Sequence, residues 1–384
     1  MSWSSIVGQD QVKRILRASI ERGRVAHAYL FTGPEGVGKD AMAIELAKVL
    51  NCERGRSEAC DTCSSCQKIH ILQHPNVPLV FALPVGKNEK YGDPPLEKLG
   101  DEEIAFIQEQ LRLKAENTYH EIIISKAKNI KINSIREIRR ESVLTSYSKG
   151  KKVFIIIEAE KMSDDAANAL LKTLEEPHED TVLILTTSYP DRLLPTIVSR
   201  CQYIQFSYLR EDELCHALQE RDNLPVNQAQ DIARLANGNY ARALQWIYSS
   251  LQVHRNEAVE FLRTVLHRSR AELLREIERI VAEYEKQELE QFLSLLQGWI
   301  RDAMIVQEGK SDTVNVDETN AIRKFVAHYS HLDYSQAIAV VDRAISLLSK
   351  NVYIPLVLLN LAIDLRRIIF SSTQKEDVIT SFNL

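Results

Sequence analysis

An eight-residue segment with three glycines, Gly33-Pro-Glu-Gly-Val-Gly-Lys-Asp40, restricts the fold of this chain more than any other feature. It follows a buried-strand pattern at 28–32 and precedes a helical pattern that begins at about Lys39. Glycines let successive backbone N–H groups turn toward phosphate oxygens, and the helix N-terminus adds positive potential. The segment therefore predicts a phosphate-binding loop, although a glycine turn that only caps a helix has a similar pattern. The predicted nucleotide-binding residues are Gly33, Gly36, Gly38, Lys39 and Asp40.

Two positions that hold Mg²⁺ in active phosphate-loop enzymes carry other residues here. The Ser or Thr that normally follows the loop lysine is replaced by Asp40, whose carboxylate adds negative charge beside a polyanion. The strand Val153–Ile157 ends on Ile157 where an Asp would be expected, and Glu158 follows at the place of a water-polarising base. Glu158 could equally be a solvated residue at the start of a helix. We therefore expect ATP and Mg²⁺ binding to be weak or absent and hydrolysis to be lost.

Short β-rich runs alternate with helical patterns over the first two hundred residues. Continuous apolar strands between helices indicate a parallel sheet that is covered on both faces, so an α/β core ending near Phe206 is predicted. Residues 83–120 interrupt this order with several Pro and Gly residues and a charged helical stretch, and they are interpreted as a surface insertion. Besides 28–32, the predicted strands are Val77–Phe81, Glu121–Ser125, Val153–Ile157 and Val182–Thr186.

Beyond Tyr208 the patterns are helical, so the predicted fold class is α/β followed by all-α. Residues 208–252 predict a three-helix lid around Gly238, and residues 253–370 predict long helices of a collar or oligomerisation domain. The predicted phosphate-loop core occupies residues 1–207, with a cysteine-rich module at 52–66. Residues 371–384 are predicted to form a tail.

Four of the six cysteines lie within fifteen positions, at Cys52, Cys60, Cys63 and Cys66. Two successive C-x₂-C steps bring three thiolates to one ion, and a fourth cysteine completes a tetrahedron. Four protein ligands leave no open position, so the sequence predicts a structural zinc site, with packed cysteines as the alternative. His70 and His74 are nearby but are not needed as ligands.

Charge and hydropathy exclude several classes of protein. A net charge of −5 gives no global signature of nucleic-acid binding, so any contact with DNA requires a local basic surface. The first residues lack a charged segment leading into an apolar core, and the longest apolar run, 352–363, is too short to span a bilayer. The sequence therefore predicts a cytoplasmic protein without a membrane partner.

Several motifs resemble the bacterial DNA polymerase III clamp-loader family of AAA+ proteins. They are Asn168-Ala-Leu-Leu-Lys-Thr-Leu-Glu-Glu-Pro177, Ser199-Arg-Cys201, the opening Ile6-Val-Gly-Gln9, the strand His27–Phe31 and the cysteine cluster. The resemblance covers the chain to about residue 249. It implies a P-loop AAA+ core with a zinc knuckle, and a ring of subunits that sets the sliding clamp on primed DNA. The implied partners are gamma/tau-type and delta-type clamp-loader subunits, the clamp and DNA.

Within this family, the chain resembles the delta-prime type, which tolerates losses at the magnesium positions. Asp40 and Ile157 fit that type, and the implied role is a ring scaffold whose own ATP hydrolysis is lost. The alternative is a gamma/tau-like ATPase in which Asp40 binds Mg²⁺ and Glu158 is the base. A stand-alone DNA-remodelling motor is a third interpretation, but the cysteine cluster and the 168–177 helix speak against it.

The resemblance also assigns roles to three nucleotide-directed residues. Arg200 of the Ser-Arg-Cys motif would project into a neighbour's ATP site as an arginine finger in trans, whereas an isolated arginine would more simply pair with a surface carboxylate. Thr187, with Thr186 beside it, lies where the family places a γ-phosphate sensor, although threonines at strand ends are commonly only β-formers. Arg242 resembles the sensor arginine of the lid, or it only braces the lid.

A basic segment precedes and enters a predicted helix at 132–147. Helix ends in this region face the central duplex in rings of the family, so phosphate contacts are implied here, although a basic helix face is usually only solvated. The predicted DNA-binding residues are Lys126, Lys128, Lys131 and Arg136.

Overall fold

The computed structural model describes residues 2–55, 57–144, 150–248, 251–266, 269–284, 286–309, 319–329, 332–348 and 352–380. The chain divides into two compact units, 1–244 and 245–384. The three domains expected from the sequence, 1–207, 208–252 and 253–370, stay a prediction, since the first unit contains both the sheet and most of the lid helices.

A five-stranded parallel sheet forms the centre of the first unit within its described residues, in the order β2-β3-β4-β1-β5. Every pairing is parallel, which confirms the predicted α/β core; Ala28, for example, pairs with Leu183 and Tyr29 with Gln202. The strands are β1 (Ala28–Thr32), β2 (Leu79–Val80), β3 (Lys152–Ile156), β4 (Thr181–Thr187) and β5 (Gln202–Gln205).

One predicted strand is wrong and one strand was missed. Residues 121–125 have no strand conformation; the backbone N–H of Ile123 donates to the Gln110 side chain, and Ile123 is exposed, so this segment lies away from the sheet. The sequence pattern does not predict the edge strand β5, because only Ile204 of its four residues is buried. An edge strand with three exposed side chains lacks the apolar run that identifies a central strand.

Helices precede, separate and follow the strands, and the last three that begin in this unit lie where the lid is predicted. Those that begin in the first unit are α1 (Asp10–Glu21), α2 (Lys39–Asn51), α3 (Ser64–His70), α4 (Asp101–Glu116), α5 (Ile132–Val143), α6 (Asp164–Glu175), α7 (Pro195–Val198), α8 (Glu211–Asp222), α9 (Val226–Ala236) and α10 (Tyr240–Tyr248). Three short 3₁₀ turns lie at Ser2–Ser5, Ala159–Lys161 and Pro190–Arg192. Of the predicted lid, 208–252, positions 249 and 250 lie outside the described residues.

The core of the first unit lies between the sheet and helices α5 and α6. Leu30 and Leu185 from the strands meet Ile138 of α5 and Leu170 of α6, and all four side chains are buried. Burying one such side chain contributes about 1.5–3 kcal/mol. This core holds the carboxyl ends of β1, β3 and β4 in fixed register, and it is there that the candidate site lies.

All regular secondary structure in the described residues of the second unit is helical, as predicted. Phe261 of the first helix packs edge-on against Phe292, with ring centroids 5.7 Å apart, and Trp299 packs against Phe325 at 5.0 Å. Its helices are α11 (Leu251–Leu266), α12 (Arg270–Glu283), α13 (Lys286–Gln307), α14 (Thr319–His328), α15 (Tyr334–Leu348) and α16 (Ile354–Thr380).

The predicted tail at 371–384 is helical as far as Thr380, because α16 continues to that residue. Positions 381–384 lie outside the described residues. Among the helices that the structure describes, none combines the length and the apolar character needed to cross a membrane.

Candidate functional site

The glycine loop joins β1 to α2 and needs its glycines. Gly36 and Gly38 have φ of 67° and 95°, in the left-handed region that L side chains rarely adopt. A Cβ on Gly33 would lie 2.6 Å from the carbonyl oxygen of Phe206, and one on Gly36 would lie 1.7 Å from Oδ1 of Asn239. The loop therefore has the predicted strand–loop–helix form, tightly enclosed by its neighbours.

The ammonium of Lys39 is folded back onto this loop. Its Nζ donates to the carbonyl oxygens of Gly33 at 2.8 Å and Pro34 at 2.6 Å, and to Oγ of Ser188 at 2.9 Å. Burial lowers the pKa of Lys39, although the neighbouring Asp40 opposes that shift. All three donor directions of the ammonium are used within the chain.

Asp40 forms an ion pair with a residue far away in the sequence, which the sequence pattern does not predict. Its carboxylate lies 2.7 Å from Nζ of Lys114, and it also accepts a hydrogen bond from Oγ1 of Thr186 at 2.7 Å. Lys114 belongs to α4 in the insertion, and its side chain is only 2% exposed. Burial alone would raise the pKa of Asp40, but the charge and hydrogen bond of Lys114, together with Thr186, hold it below its usual value.

The insertion places a second side chain on the loop, that of Tyr119. A Cβ on Gly38 would lie 2.9–3.1 Å from three atoms of the tyrosine ring and hydroxyl, so the two are in close contact. The Tyr119 hydroxyl accepts a hydrogen bond from the backbone N–H of Val7 at 2.9 Å. Its ring packs edge-on against Tyr240 of the lid, with centroids 4.8 Å apart. Tyr119 is buried by these contacts.

Acidic groups gather where β3 ends. Glu158 has a left-handed φ of 53°, and its carboxylate pairs with Lys161 at 2.6 Å. Burial raises the pKa of Glu158 despite that ion pair. Although Glu121 keeps exposed surface, crowding by protein atoms, followed by the charges of Glu158 and Glu35, raises its pKa to about 7. Ile157, at the expected magnesium position, is a buried core residue.

The lid meets the loop through main-chain hydrogen bonds. The N–H groups of Tyr240 and Ala241, at the start of α10, donate to the carbonyl oxygen of Gly36 at 3.1 and 3.4 Å. Arg242 is half-buried, and its backbone N–H donates to Asn239, which itself packs on Gly36. Thr187 is buried at the end of β4, where its hydroxyl accepts from the N–H of Tyr189. Of the predicted nucleotide-directed residues, Thr187 and Arg242 therefore lie close to the glycine loop, and both contact other groups of the chain.

Arg200 lies just after α7, outside this cluster. Its guanidinium donates to the carbonyl of Thr196 at 3.0 Å and to the Glu175 carboxylate at 2.9 Å, and both charged side chains are partly exposed. Such an exposed pair contributes little to stability, about 0–1 kcal/mol. The guanidinium is therefore presented at the surface, with one carboxylate to orient it.

The predicted DNA-binding residues divide into two pairs. Lys126 and Lys128 are exposed. Lys131 instead donates to Glu89 at 2.8 Å and to two carbonyl oxygens of the insertion, and Arg136 lies 3.3 Å above the ring of Tyr91. Lys131 and Arg136 therefore hold the insertion in this structure rather than facing solvent as an open phosphate-binding surface.

The four cysteine thiols converge at the other end of α2. Their Sγ atoms all lie within 4.8 Å of one another, and those of Cys60 and Cys66 are 4.0 Å apart. Thiolates bound to one zinc ion at 2.3 Å would be about 3.8 Å apart, so this cluster fits a tetrahedral ion with little adjustment. The backbone N–H groups of Cys63 and Cys66 donate to the sulfurs of Cys60 and Cys63, which favours thiolates. The four residues could therefore hold a metal ion.

His74 is not a ligand in this arrangement. Its Nδ1 accepts the N–H of Asn76 at 3.1 Å, so Nε2 carries the proton and faces Oγ of Ser65 at 2.9 Å. Burial, followed by the charge of Lys68, lowers the pKa of His74 and keeps the ring neutral. His70 is exposed. Four sulfurs thus form the cluster without a histidine, as expected from the spacing.

The residues that sequence reasoning missed are Lys114 and Tyr119. Asp40 itself indicates that such a partner exists, because a carboxylate beside a buried glycine loop needs a cation or several hydrogen bonds. The chain offers 48 lysines and arginines, and nothing local to Asp40 identifies which of them supplies the charge.

Comparison with known proteins gives a consistent family. The family model described as DNA polymerase III, delta subunit, matches residues 8–210. The DNA polymerase III subunit delta' of Bacillus subtilis (strain 168) is 31% identical over 306 residues, which are 79% of this chain and 79% of that protein. The subunit delta' of Pseudomonas aeruginosa is 35% identical over 47% of this chain and 43% of its own length. The B. subtilis subunit tau is 29% identical over 63% of this chain, but the match spans only 36% of that protein.

Proposed function

This chain belongs to the DNA polymerase III delta-subunit family, and we propose that it is a clamp-loader subunit of the replicative holoenzyme. In this proposal it acts as a scaffold of the delta-prime type and donates Arg200 to the ATP site of a neighbouring subunit. Its partners are gamma/tau-type and delta-type subunits, the sliding clamp and primed DNA. The chain by itself is neither an active ATPase nor a polymerase.

The observation that carries this proposal is the ion pair between Asp40 and Lys114. A hydrolysing subunit needs a hydroxyl or carboxylate free to ligate Mg²⁺ beside the loop lysine. Here the carboxylate binds a lysine of the same chain, and the loop lysine binds carbonyl oxygens. This supports a subunit that has given up its own hydrolysis.

The gamma/tau-like alternative requires Asp40 and Glu158 to act on metal and water. The carboxylate of Glu158 pairs with Lys161, and that of Asp40 with Lys114, so both groups would have to change partners first. We therefore favour the scaffold. If purified chain alone hydrolyses ATP steadily, and Lys39→Ala abolishes this turnover, the alternative replaces our proposal.

An arginine finger is supported by the exposure of Arg200. A guanidinium inserted beside a transferred phosphoryl group neutralises developing charge and can supply roughly 10³–10⁵ in rate. The adjacent Glu175 would hold the side chain until a neighbour docks, and the exposed pair is weak enough to be exchanged.

The test compares Arg200→Ala with Arg210→Ala in the reconstituted complex. Arg210 is likewise exposed and paired with acidic residues, so it controls for loss of a surface charge. We expect Arg200→Ala to assemble normally by size exclusion but to reduce DNA-stimulated ATPase several-fold, with Arg210→Ala near the wild-type rate. Equal rates for wild type and Arg200→Ala would remove the finger role.

We further propose that the ion in the cysteine cluster is zinc with a structural role. Thiolate sulfur is a soft ligand that selects zinc among the common divalent ions, and four protein ligands leave no position for substrate. Metal analysis of the purified chain should find one zinc per molecule. Nickel or iron in its place would contradict this assignment.

We keep a DNA-contact proposal for the exposed pair Lys126 and Lys128. Removing a lysine that binds a phosphate should reduce the salt slope of binding by about one. Measuring primed-DNA affinity of the complex against salt, with both lysines changed to alanine, tests this; an unchanged slope excludes the pair. Lys98→Ala, which alters an exposed lysine of the insertion, is the control.

A further inference from the structure

We propose that the insertion, residues 83–120, is a built-in occupant of the nucleotide site, with Lys114 in place of the metal ion and Tyr119 as a bridge between loop and lid. This inference deepens the proposed function, on whose inactive ATPase site it rests. In this proposal, the insertion holds the lid against the phosphate loop when no nucleotide is bound.

The first argument is the position of the Lys114 charge. Its ammonium contacts Asp40, the residue that follows the loop lysine, where the side chain of an active site would ligate Mg²⁺. The same ammonium donates to the carbonyl oxygen of His120 at 2.8 Å. A magnesium ion could reach Asp40 only if this buried ammonium gave up its carboxylate, and an uncompensated buried charge is strongly unfavourable.

The second argument is steric and concerns the start of α2. The N-terminus of a helix binds anions only where its N–H groups are accessible. Tyr119 packs against Gly38, the residue before α2, and Lys39 is turned onto the carbonyls of the loop. Tyr119 thus covers the residue before the helix, and the three donors of the Lys39 ammonium are already bound to oxygen atoms of the chain.

The third argument is that the same tyrosine joins the loop to the lid. Its ring contacts Tyr240, whose backbone N–H bonds to Gly36, while its hydroxyl is fixed by the N–H of Val7. The hydroxyl of Tyr240 in turn donates to Asp222 of α8 at 2.9 Å. N-terminal segment, loop, insertion and lid therefore share one continuous set of contacts centred on Tyr119.

Residues 89–92, near the other end of the insertion, also bind to the segment around the start of α5. Lys131 of the segment before α5 pairs with Glu89, with both side chains at most 10% exposed. Asn133 accepts from the N–H of Gly92 and donates to Glu89 and to the carbonyl of Lys90. These contacts hold the insertion at a second place, in addition to the Asp40 pair.

The experiment measures binding of the fluorescent nucleotide mant-ATP with MgCl₂ to the full chain. Wild type should bind no better than the Lys39→Ala variant. Asp40→Thr alone restores the hydroxyl of an active loop but leaves Lys114 and Tyr119 in place, so we expect no gain. The triple variant Asp40→Thr, Lys114→Ala and Tyr119→Ala removes both occupying side chains and should bind Mg·mant-ATP at least about tenfold more tightly than wild type. Adding Lys39→Ala to the triple variant should remove the gain.

Hydrogen exchange on the wild-type chain gives a second readout that needs no variant to fold. Millimolar Mg·ATP should leave exchange unchanged in peptides covering 33–40 and 110–120. Protection of these peptides by Mg·ATP in wild type, or a folded triple variant that binds no better than wild type, would overturn the proposal. Either result leaves the Arg200 test intact, because that test reads the neighbour's ATPase. Equal ATPase rates for wild type and Arg200→Ala would instead remove the finger role and leave this inference unchanged.

Discussion

Helix α2 has the cysteine cluster at its C-terminal end and the glycine loop at its N-terminal end, and the structure completes these two motifs in different ways. At the C-terminal end, Cys52 joins three cysteines that are close in sequence, and their sulfurs converge as the spacing predicts. At the N-terminal end, the glycine loop keeps its form, but Lys39 and Asp40 are bound to groups of the chain. The difference shows that a motif made of neighbouring residues can be interpreted locally, whereas one that faces a distant segment cannot.

Charge explains why the second site depends on distant residues. Thiolates that share one divalent ion are compensated within the cluster. A carboxylate beside a buried loop has no such local compensation, so its environment is completed by Lys114, which is 74 positions away. Substitutions at the two ends of α2 should therefore lower the free energy of unfolding for different reasons: loss of a shared metal ion at one end and loss of a distant cation at the other.

The largest effect is expected at the cysteine end. Cys66→Ser removes one ligand of a closed site, and loss of a structural metal should lower the free energy of unfolding by about 5 kcal/mol. Chemical denaturation and zinc content would measure this together. Cys215→Ser, which alters a cysteine outside the cluster, is the matched control and should keep both stability and metal. Full zinc content in Cys66→Ser would contradict the four-sulfur assignment.

At the loop end, Lys114→Ala should be the most damaging single change. It leaves Asp40 partly buried without its cation, and removing one partner of a buried pair costs about 3 kcal/mol or more. Denaturant unfolding measures the loss. Lys98→Ala removes a lysine from an exposed pair in the same insertion and should change stability by less than about 1 kcal/mol.

The double change Asp40→Asn with Lys114→Met separates charge from packing. Replacing both members of a buried ion pair by neutral residues of similar volume is often nearly neutral, so most of the stability should return. If the double variant is as unstable as Lys114→Ala, the side chain of Lys114 matters for its packing and not for its charge.

A smaller effect is expected for Tyr119→Phe. The ring stays against Gly38 and Tyr240, but the N–H of Val7 loses its acceptor, which should cost about 1–2 kcal/mol. Thermal unfolding would detect it. Tyr91→Phe keeps the ring beneath Arg136 at an exposed position and should be close to wild type. Equal stabilities of the two variants would show that the Tyr119 hydroxyl contributes nothing.

The smallest effect is the acid dependence of the loop end. Because the folded state holds the pKa of Asp40 below its value in the unfolded chain, the unfolded chain binds the proton first. The stability from this group is complete above about pH 4 and is lost as the pH falls further, through the folded pKa. An asparagine side chain cannot titrate, so the Asp40→Asn, Lys114→Met variant should lose less stability than wild type between pH 5 and pH 3, a window set roughly by the usual Asp pKa. Parallel curves would contradict the depressed pKa.

Much of the fold was predictable because its signals are local. The strands β1, β3 and β4 lie within one residue of the predicted runs at 28–32, 153–157 and 182–186, because the strands of a covered parallel sheet are continuous apolar runs. The error at 121–125 has the opposite cause: Ile122–Ile124 has the apolar residues of a strand, but its main chain bonds to the Gln110 side chain and does not join the sheet. Strand formation needs a neighbouring strand, which composition cannot reveal.

The amino-acid sequence by itself determined the α/β core, the glycine loop with its missing magnesium ligands, and the four-cysteine cluster, since each depends on residues that are close along the chain. Only the tertiary structure decided what faces Asp40 and Gly38. The helix that carries Lys114 and the turn that carries Tyr119 reach the loop through the packing of a long insertion, and the compensation of a buried charge is decided by position in space, not by distance in sequence.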